Sequence, residues 1–208
     1  MKGLLLKDWY QVKTNMRMMY LTVLAVLAIW ILSTSGDSSF AVDYSAVFLG
    51  IMPAYLLSYD HASGWTEYSF ALPLSKELQV AEKYLVGLLC TAVSAALNGI
   101  FCGIRFWMGK PLPAMPIGLL LGAGAASILL INGIMLPLYY RFGAEKARML
   151  YMLMFAGMGA ALGGGMVLMD AVPESGAAIA IVGVLAAVLA LYAVSWRVSV
   201  AWYGKYKK

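Results

Sequence analysis

One histidine and one nearby serine are the residues of this chain whose types could support nucleophilic catalysis. The histidine, His61, stands two positions before Ser63, and it is the only histidine among 208 residues. A serine nucleophile needs a base that a separate element positions, and no second histidine exists to supply it. Ser63 also falls in a polar segment between two apolar runs. We therefore expect no hydrolytic activity from this pair.

Other chemistry-bearing patterns are equally weak. Cys90 and Cys102 lie twelve positions apart in one apolar run, on different faces of a helix, and no accompanying ligand set suggests a metal. We expect two buried thiols rather than a disulfide. No Gly-x4-Gly-Lys-Ser/Thr phosphate loop occurs. The sequence thus predicts no catalytic residue, no metal and no cofactor.

Six long apolar runs separated by short polar breaks dominate the chain, in which 62% of residues are hydrophobic and 12% charged. A bilayer core about 30 Å thick needs roughly 20 apolar helical residues to cross it. The pattern therefore predicts an all-α integral membrane protein with one transmembrane domain over residues 1–208. The predicted spans are about 18–34, 42–59, 84–106, 114–138, 148–169 and 176–196.

The basic residues indicate the orientation. With both termini on one side, thirteen of the fifteen Lys and Arg fall there, and only Arg105 and Lys110 fall on the other. The positive-inside rule then places both ends in the cytoplasm. The net charge of +5 belongs to residues that flank spans, which favours contact with acidic lipid headgroups over nucleic acid.

The first sixteen residues have the pattern of an amphipathic helix. Leu5, Trp9, Val12 and Met16 share one side, and Lys7, Asp8, Gln11, Thr14 and Asn15 share the other. Such a helix, about 3–16, suits the membrane interface. The alternative is a plain extension of the first span.

The cytoplasmic segment at about 60–83 is the longest polar stretch. Gly64 and Pro73 interrupt it, so residues 65–72 could form a short surface helix, and Ser75 is a good N-cap for the helix that enters span three. Its aromatic residues could anchor it in the interface or form a docking surface for a soluble partner. A second cytoplasmic loop is expected at 139–148.

Span five is rich in glycine. Small residues at four-residue spacing let helices approach closely, either inside one subunit or between two subunits. The candidate interface consists of Gly159, Gly163, Gly164 and Gly165. By contrast, the predicted spans hold almost no ionisable side chain, so a carrier driven by its own ion-coupling site is not expected. Energy for active transport would have to arrive through the cytoplasmic loops.

Those loops resemble a known family. The run from Leu72 to Glu77, continuing through Ala81 to Leu85, is similar to the motif after span two of ABC-2-type permeases, the membrane subunits of ATP-binding-cassette exporters. The opening residues 1–9 resemble the elbow helix of that family. Pro137 and residues 141–148 are similar to its loop before span five. The small bacterial permeases with separate ATPases, including exporters of toxin peptides and antimicrobial-resistance pumps, are the members it most resembles.

The resemblance implies a multi-pass protein of the bacterial cytoplasmic membrane that is not itself an enzyme. It implies a second permease subunit, homologous or identical, and cytoplasmic ABC ATPases seated beneath. The link between spans five and six, around 170–175, is shorter than in larger members. An ATP-independent immunity, scaffold or channel-like protein is the alternative. The implied ATPase-coupling residues are Asp60, Trp65, Glu67, Tyr68, Leu72, Pro73, Leu74, Ser75, Lys76, Glu77, Arg141, Phe142, Gly143, Glu145, Lys146 and Arg148.

Overall fold

The computed structural model describes residues 2–33, 39–112, 116–169 and 174–203, with side chains over 2–33, 44–112, 116–143, 146–147, 149, 183–184 and 186–203. All secondary structure in these ranges is helical. The helices are α1 (Lys2–Asn15), α2 (Arg17–Leu32), α3 (Ser39–Ala62), α4 (Trp65–Ala71), α5 (Lys76–Trp107), α6 (Ile117–Met169) and α7 (Glu174–Tyr203).

Three helical stretches within the described ranges are long and apolar enough to cross a membrane, namely Lys76–Trp107, Ile117–Gly143 and Ala186–Tyr203. The bent pair α1 and α2 makes a fourth if it is counted as one span. The all-helical fold and its membrane character are therefore confirmed. The link expected around 170–175 begins outside the described residues.

The first two helices meet at a bend of 70°. Met16 separates them and is buried beside Leu49, Met52 and Leu56 of α3. A buried side chain at the corner fixes the angle, because rotating α1 into line with α2 would pull Met16 out of its contacts. The amphipathic N-terminal helix is thus a separate element, and its interpretation as a plain extension of span one is wrong.

The packing of α1 differs from the predicted face. Leu5 and Val12 pack beside Met16 as expected, but Trp9 is 65% exposed. Asp8, on the predicted polar side, is only 2% exposed. The amphipathic pattern was misleading because α3 and α5 present charged partners to α1, so part of its polar side faces protein.

The central helix α5 begins as the sequence predicts. Ser75 is extended, and its hydroxyl accepts a hydrogen bond from the Leu78 N–H at 3.3 Å. Further along, Tyr84 shares hydrogen bonds of 2.7 Å with Ser195 and Ser199 of α7. These buried hydroxyls join α5 to α7 where apolar contacts alone would not fix their register. Cys90 and Cys102 are free and buried, as predicted.

Helix α6 consists of two helices that meet at a kink, and this kink takes the place of the loop predicted at 139–148. The chain is helical on both sides of Gly143, which alone leaves helical geometry with φ 77° and ψ 174°. Only glycine adopts this conformation at low cost, so one residue replaces the expected loop. Pro137, offered as the signal for that loop, lies inside the helix.

The two cations expected on the outer side, Arg105 and Lys110, both bind the carboxyl end of α2. Arg105 is fully buried, donates to the Trp30 carbonyl and stacks against the Trp30 ring, with 4.9 Å from its Cζ to the centroid. Lys110 Nζ donates to the Leu32 carbonyl at 2.9 Å. Cations are favourable at a helix carboxyl end because its carbonyls are unpaired. The charges of Arg105 and Lys110 therefore stabilise the carboxyl end of α2.

Glycine at position 87 is required by close packing. A Cβ at Gly87 would lie 2.5 Å from the Tyr192 hydroxyl oxygen, whereas a Cβ at Gly103 of the same helix would meet nothing within 4 Å. Tyr192 donates to the Tyr84 carbonyl at 2.7 Å, so moving it breaks a buried hydrogen bond. We expect Gly87→Ala to destabilise the protein by about 1–3 kcal/mol.

The matched control is Gly103→Ala, which should be neutral or slightly stabilising because alanine favours a helix over glycine by up to about 1 kcal/mol. Thermal unfolding of the purified variants in detergent measures both effects. Equal melting temperatures for the two variants would contradict the packing of α5 against α7.

Candidate functional site

Helix α4 is a short surface helix, as the sequence predicts. It begins after Gly64, whose φ of 73° favours glycine, and it ends at Ala71. Tyr68 is 58% exposed and Glu67 is exposed beside it. Ser69 on the opposite side is buried. One face of the helix therefore exposes an aromatic and an acidic side chain, and the other face packs against the rest of the protein.

The inner face of α4 sits on the end of α7. The Phe70 and Tyr203 rings stack with centroids 5.3 Å apart. Tyr203 donates to the Gln79 side-chain oxygen, and Gln79 Nε2 donates to the Ser69 carbonyl at 3.2 Å. Tyr140 of α6 packs on the same Tyr203 ring. Three long helices thus meet under α4.

Five charged side chains form a second attachment, which we call the ion cluster: Lys7 and Asp8 of α1, Asp60 of α3, and Glu82 and Lys83 of α5. Lys83 Nζ lies 2.8 Å from Asp8 Oδ1 and 2.7 Å from Asp60 Oδ2. Lys7 Nζ lies 2.7 Å from Asp60 Oδ2. All but Lys7 are buried. The cluster fixes α1 to the ends of α3 and α5.

The ion cluster also reaches α4. Lys7 Nζ lies 4.8 Å from the centroid of the Trp65 ring, a cation–π distance. Gln11 Nε2 donates to Asp60 Oδ1 at 3.1 Å from the next turn of α1. Trp65, the first residue of α4, therefore contacts the same lysine that binds Asp60 of α3.

The predicted coupling residues divide by exposure. Asp60 is buried in the ion cluster, so its carboxylate faces other parts of this chain rather than the surface. Trp65, Leu72 and Leu74 are half-buried. The exposed members are Glu67, Tyr68, Pro73 and Ser75, which lie between α3 and α5, and Lys76 and Glu77, which begin α5.

The second predicted contact, 141–148, is partly described. Arg141 is exposed and lies over the Trp202 ring, with 4.7 Å from its Cζ to the centroid, and Phe142 and Lys146 are exposed nearby in sequence. The side chains of Glu145 and Arg148 lie outside the described residues. The helical backbone of α6 includes Gly159, Gly163, Gly164 and Gly165. Their surroundings lie outside the residues whose side chains the structure describes.

Sequence reasoning missed most of the ion cluster. The sequence pattern places Lys7 and Asp8 on the polar side of α1, and it includes Glu82 and Lys83 in the motif after span two, without predicting that the four side chains pair. A signal was available, because charges of both signs stand at the ends of three neighbouring apolar segments. Pairing them needs the tertiary arrangement.

Two small cavities lie under α4. One of about 40 Å³ is bordered by His61, Tyr139 and Gly143, and the other of about 30 Å³ by Trp65, Glu82 and Tyr203. Each has room for one or two water molecules and is too small for a drug-sized ligand. The Ser63 hydroxyl donates to the Asp60 carbonyl at 3.2 Å.

Comparison with known families decides the class of this helical membrane protein. The family model described as "ABC-2 family transporter protein" matches residues 3–204. The chain belongs to the ABC-2 transporter family. No curated protein and no solved structure matches it significantly. Chains of this family are membrane components of ABC transporters, and membership implies association with ABC ATPases.

The ion cluster of this ABC-2 chain should be tested by removing one charge. Lys83→Met leaves three buried carboxyl groups facing Lys7 alone, so we expect a loss of about 3–5 kcal/mol in unfolding free energy. Lys13→Met, at an exposed position of α1, is the control and should change it by less than about 0.5 kcal/mol. Thermal unfolding in detergent measures both, and similar losses would show that the cluster does not hold α1.

Proposed function

We propose that this protein is the permease subunit of an ABC exporter and that α4 is the helix on which the ATPase docks. The observation that carries the proposal is the packing of α4. Glu67 and Tyr68 are exposed on one face of the helix, and its other face contacts α5 and α7. A docking helix must present side chains outward and transmit force inward, and α4 is arranged for both.

The proposed topology has six spans with both ends in the cytoplasm. In support, α1, α4, the break at Gly143 and the end of α7 lie at one end of the bundle, where Leu4, Trp65 and Tyr203 border one cavity and Gly143 and Tyr203 the other. Arg105 and Lys110 lie at the other end, on the carboxyl end of α2. Most of the basic residues belong to the first end, which is therefore cytoplasmic.

The elbow helix would lie in the membrane interface at that end. Trp9 and Tyr10 are both exposed, and aromatic side chains with a polar group favour the level of the lipid headgroups. The ion cluster on the opposite side of α1 keeps the helix flat against the bundle.

Force applied to α4 would reach the spans by two routes. Trp65 contacts Lys7, which is bound to α3 through Asp60. Phe70 and the Ser69 carbonyl contact Tyr203 and Gln79, which belong to α7 and α5. Closure of two ATPases would thereby move several spans together rather than bend one loop.

The assembly would contain two permease subunits, with the glycine-rich stretch of span five as the candidate interface, in contact with membrane lipid and not with nucleic acid. Fourteen methionines provide adaptable apolar surface, which suits an amphipathic peptide, lipid-like molecule or drug as cargo. The expected site is the bacterial cytoplasmic membrane.

Truncation of the exposed face of α4 should weaken ATPase binding. We expect Tyr68→Ala to raise the dissociation constant roughly 30-fold, as removal of a central aromatic contact costs about 2 kcal/mol at an interface. Tyr10→Ala, at an exposed tyrosine of α1, should leave binding unchanged. Quantitative pull-down of the ATPase on each variant gives the comparison.

Affinity purification of the tagged chain in mild detergent, followed by mass spectrometry, tests the function itself. A stoichiometric soluble ATPase that Tyr68→Ala removes and Tyr10→Ala retains would support the permease. A chain that purifies without any ATPase and stays active in cells would favour an ATP-independent membrane factor.

A further inference from the structure

The ion cluster contains one more carboxyl group than it has ammonium groups. Lys7 and Lys83 supply two positive charges, while Asp8, Asp60 and Glu82 would supply three negative charges if all were ionised. The three carboxyl side chains are each at most 4% exposed. An unbalanced charge in such a place is strongly unfavourable, since water cannot solvate it.

Glu82 is the carboxyl group with the weakest contacts to the lysines. Its Oε1 lies 3.9 Å from Lys7 Nζ and 3.8 Å from Lys83 Nζ, beyond hydrogen-bonding distance. Asp8 and Asp60, by comparison, accept from Lys83 and Lys7 at 2.8 and 2.7 Å. The Oε1 of Glu82 is buried without a hydrogen-bond partner. Ionisation of Glu82 would therefore gain least from the cluster.

The surroundings of Glu82 favour a bound proton. Its carboxyl group faces Lys7 and Lys83, the same two ammonium groups that the Asp8 carboxyl faces, and two neighbouring carboxyl groups share a hydrogen bond only when one of them is protonated. Beside it lies the cavity of about 30 Å³, which is also bordered by the ion-cluster members Asp60 and Lys83 and by the neutral side chains of Gln79, Tyr140 and Tyr203. That volume accommodates one water molecule next to Oε1.

We propose that Glu82 is a proton-binding site. Up to about neutral pH it is a carboxylic acid that donates to the Asp8 carboxylate, while a water in the cavity donates to its carbonyl oxygen. The ion cluster then contains two ammonium groups and two carboxylates and is electrically balanced. Because Trp65 and Ser69 of α4 border the cavity, displacement of α4 would admit water and favour release of the proton. Only this last consequence rests on the proposed function.

Neutral replacement of Glu82 gives the first test. In purified protein, Glu82→Gln should melt within about 2 °C of the wild type, because the amide replaces a group that is already neutral. Asp60→Asn, which removes an ionised partner of both lysines, should lower the melting temperature by more than about 5 °C. Glu77→Gln, at an exposed position of the same helix, controls for the substitution. A Glu82→Gln variant that fails to fold, or melts as low as Asp60→Asn, would overturn the proposal.

The dependence on pH gives a second test. An unfolded glutamate releases its proton above pH of about 4.3, whereas the folded chain keeps the proton on Glu82 up to about pH 7. Between these two pH values the folded state binds more protons and loses stability as the pH rises. The unfolding constant of the wild type should therefore grow relative to that of Glu82→Gln by up to tenfold per pH unit. Parallel curves for the two proteins would contradict a proton on Glu82.

Infrared spectroscopy of the wild type detects the proton without a destabilising variant. We expect a protonated carboxylic C=O band at neutral pH that Glu82→Gln abolishes and Glu77→Gln keeps. Absence of this band would overturn the proposal. A second result would also overturn it. If Na⁺ or K⁺ at constant ionic strength raised the melting temperature of the wild type but not that of Glu82→Gln, Glu82 would be ionised and would bind a metal cation.

Discussion

The buried attachment of Lys83 to Asp8 and Asp60 is the interaction on which the arrangement of this end of the molecule depends. One ammonium group joins α5 to both α1 and α3, and Lys7 joins the same Asp60 to Trp65 of α4. These ion pairs hold α1 against α3 and α5, and together with the buried Met16 they maintain the 70° bend between α1 and α2. Buried ion pairs add little net stability compared with apolar packing, but they specify one geometry strongly. Here the specified geometry places α1 beside α4.

The two ends of the bundle use charge differently. At the end that carries α4, charges of both signs pair with each other between helices. At the other end, Arg105 and Lys110 bind the backbone carbonyls of α2, so their charge compensates a helix end rather than a side chain. Both arrangements leave the long apolar faces of α2 and α5 uncharged, as a protein surrounded by lipid requires.

Much of this architecture could be predicted from the sequence because its signals are local. The position of α1, the extent of α4, the Ser75 cap and the buried cysteines follow from apolar period, glycine, capping chemistry and burial preference. Around Gly143 the sequence predicts a loop, because the neighbouring residues are charged, whereas one glycine at positive φ is enough to interrupt the helix. The ion cluster and the packing of α4 on Tyr203 could not be predicted, since they unite residues of different helices, some of them 124 positions apart. Such pairings depend on how spans pack, which apolar periodicity leaves undetermined.

Site-specific photocrosslinking in cells tests the central claim, that α4 is the surface through which this permease receives its ATPase. A photoreactive phenylalanine would replace Tyr68 in one variant and Tyr10 in another, both exposed tyrosines. The account predicts a covalent adduct with a soluble ATPase from position 68 and none from position 10, which should label lipid instead. An actively exporting protein that forms no ATPase adduct from position 68, or forms it equally from position 10, would contradict the account.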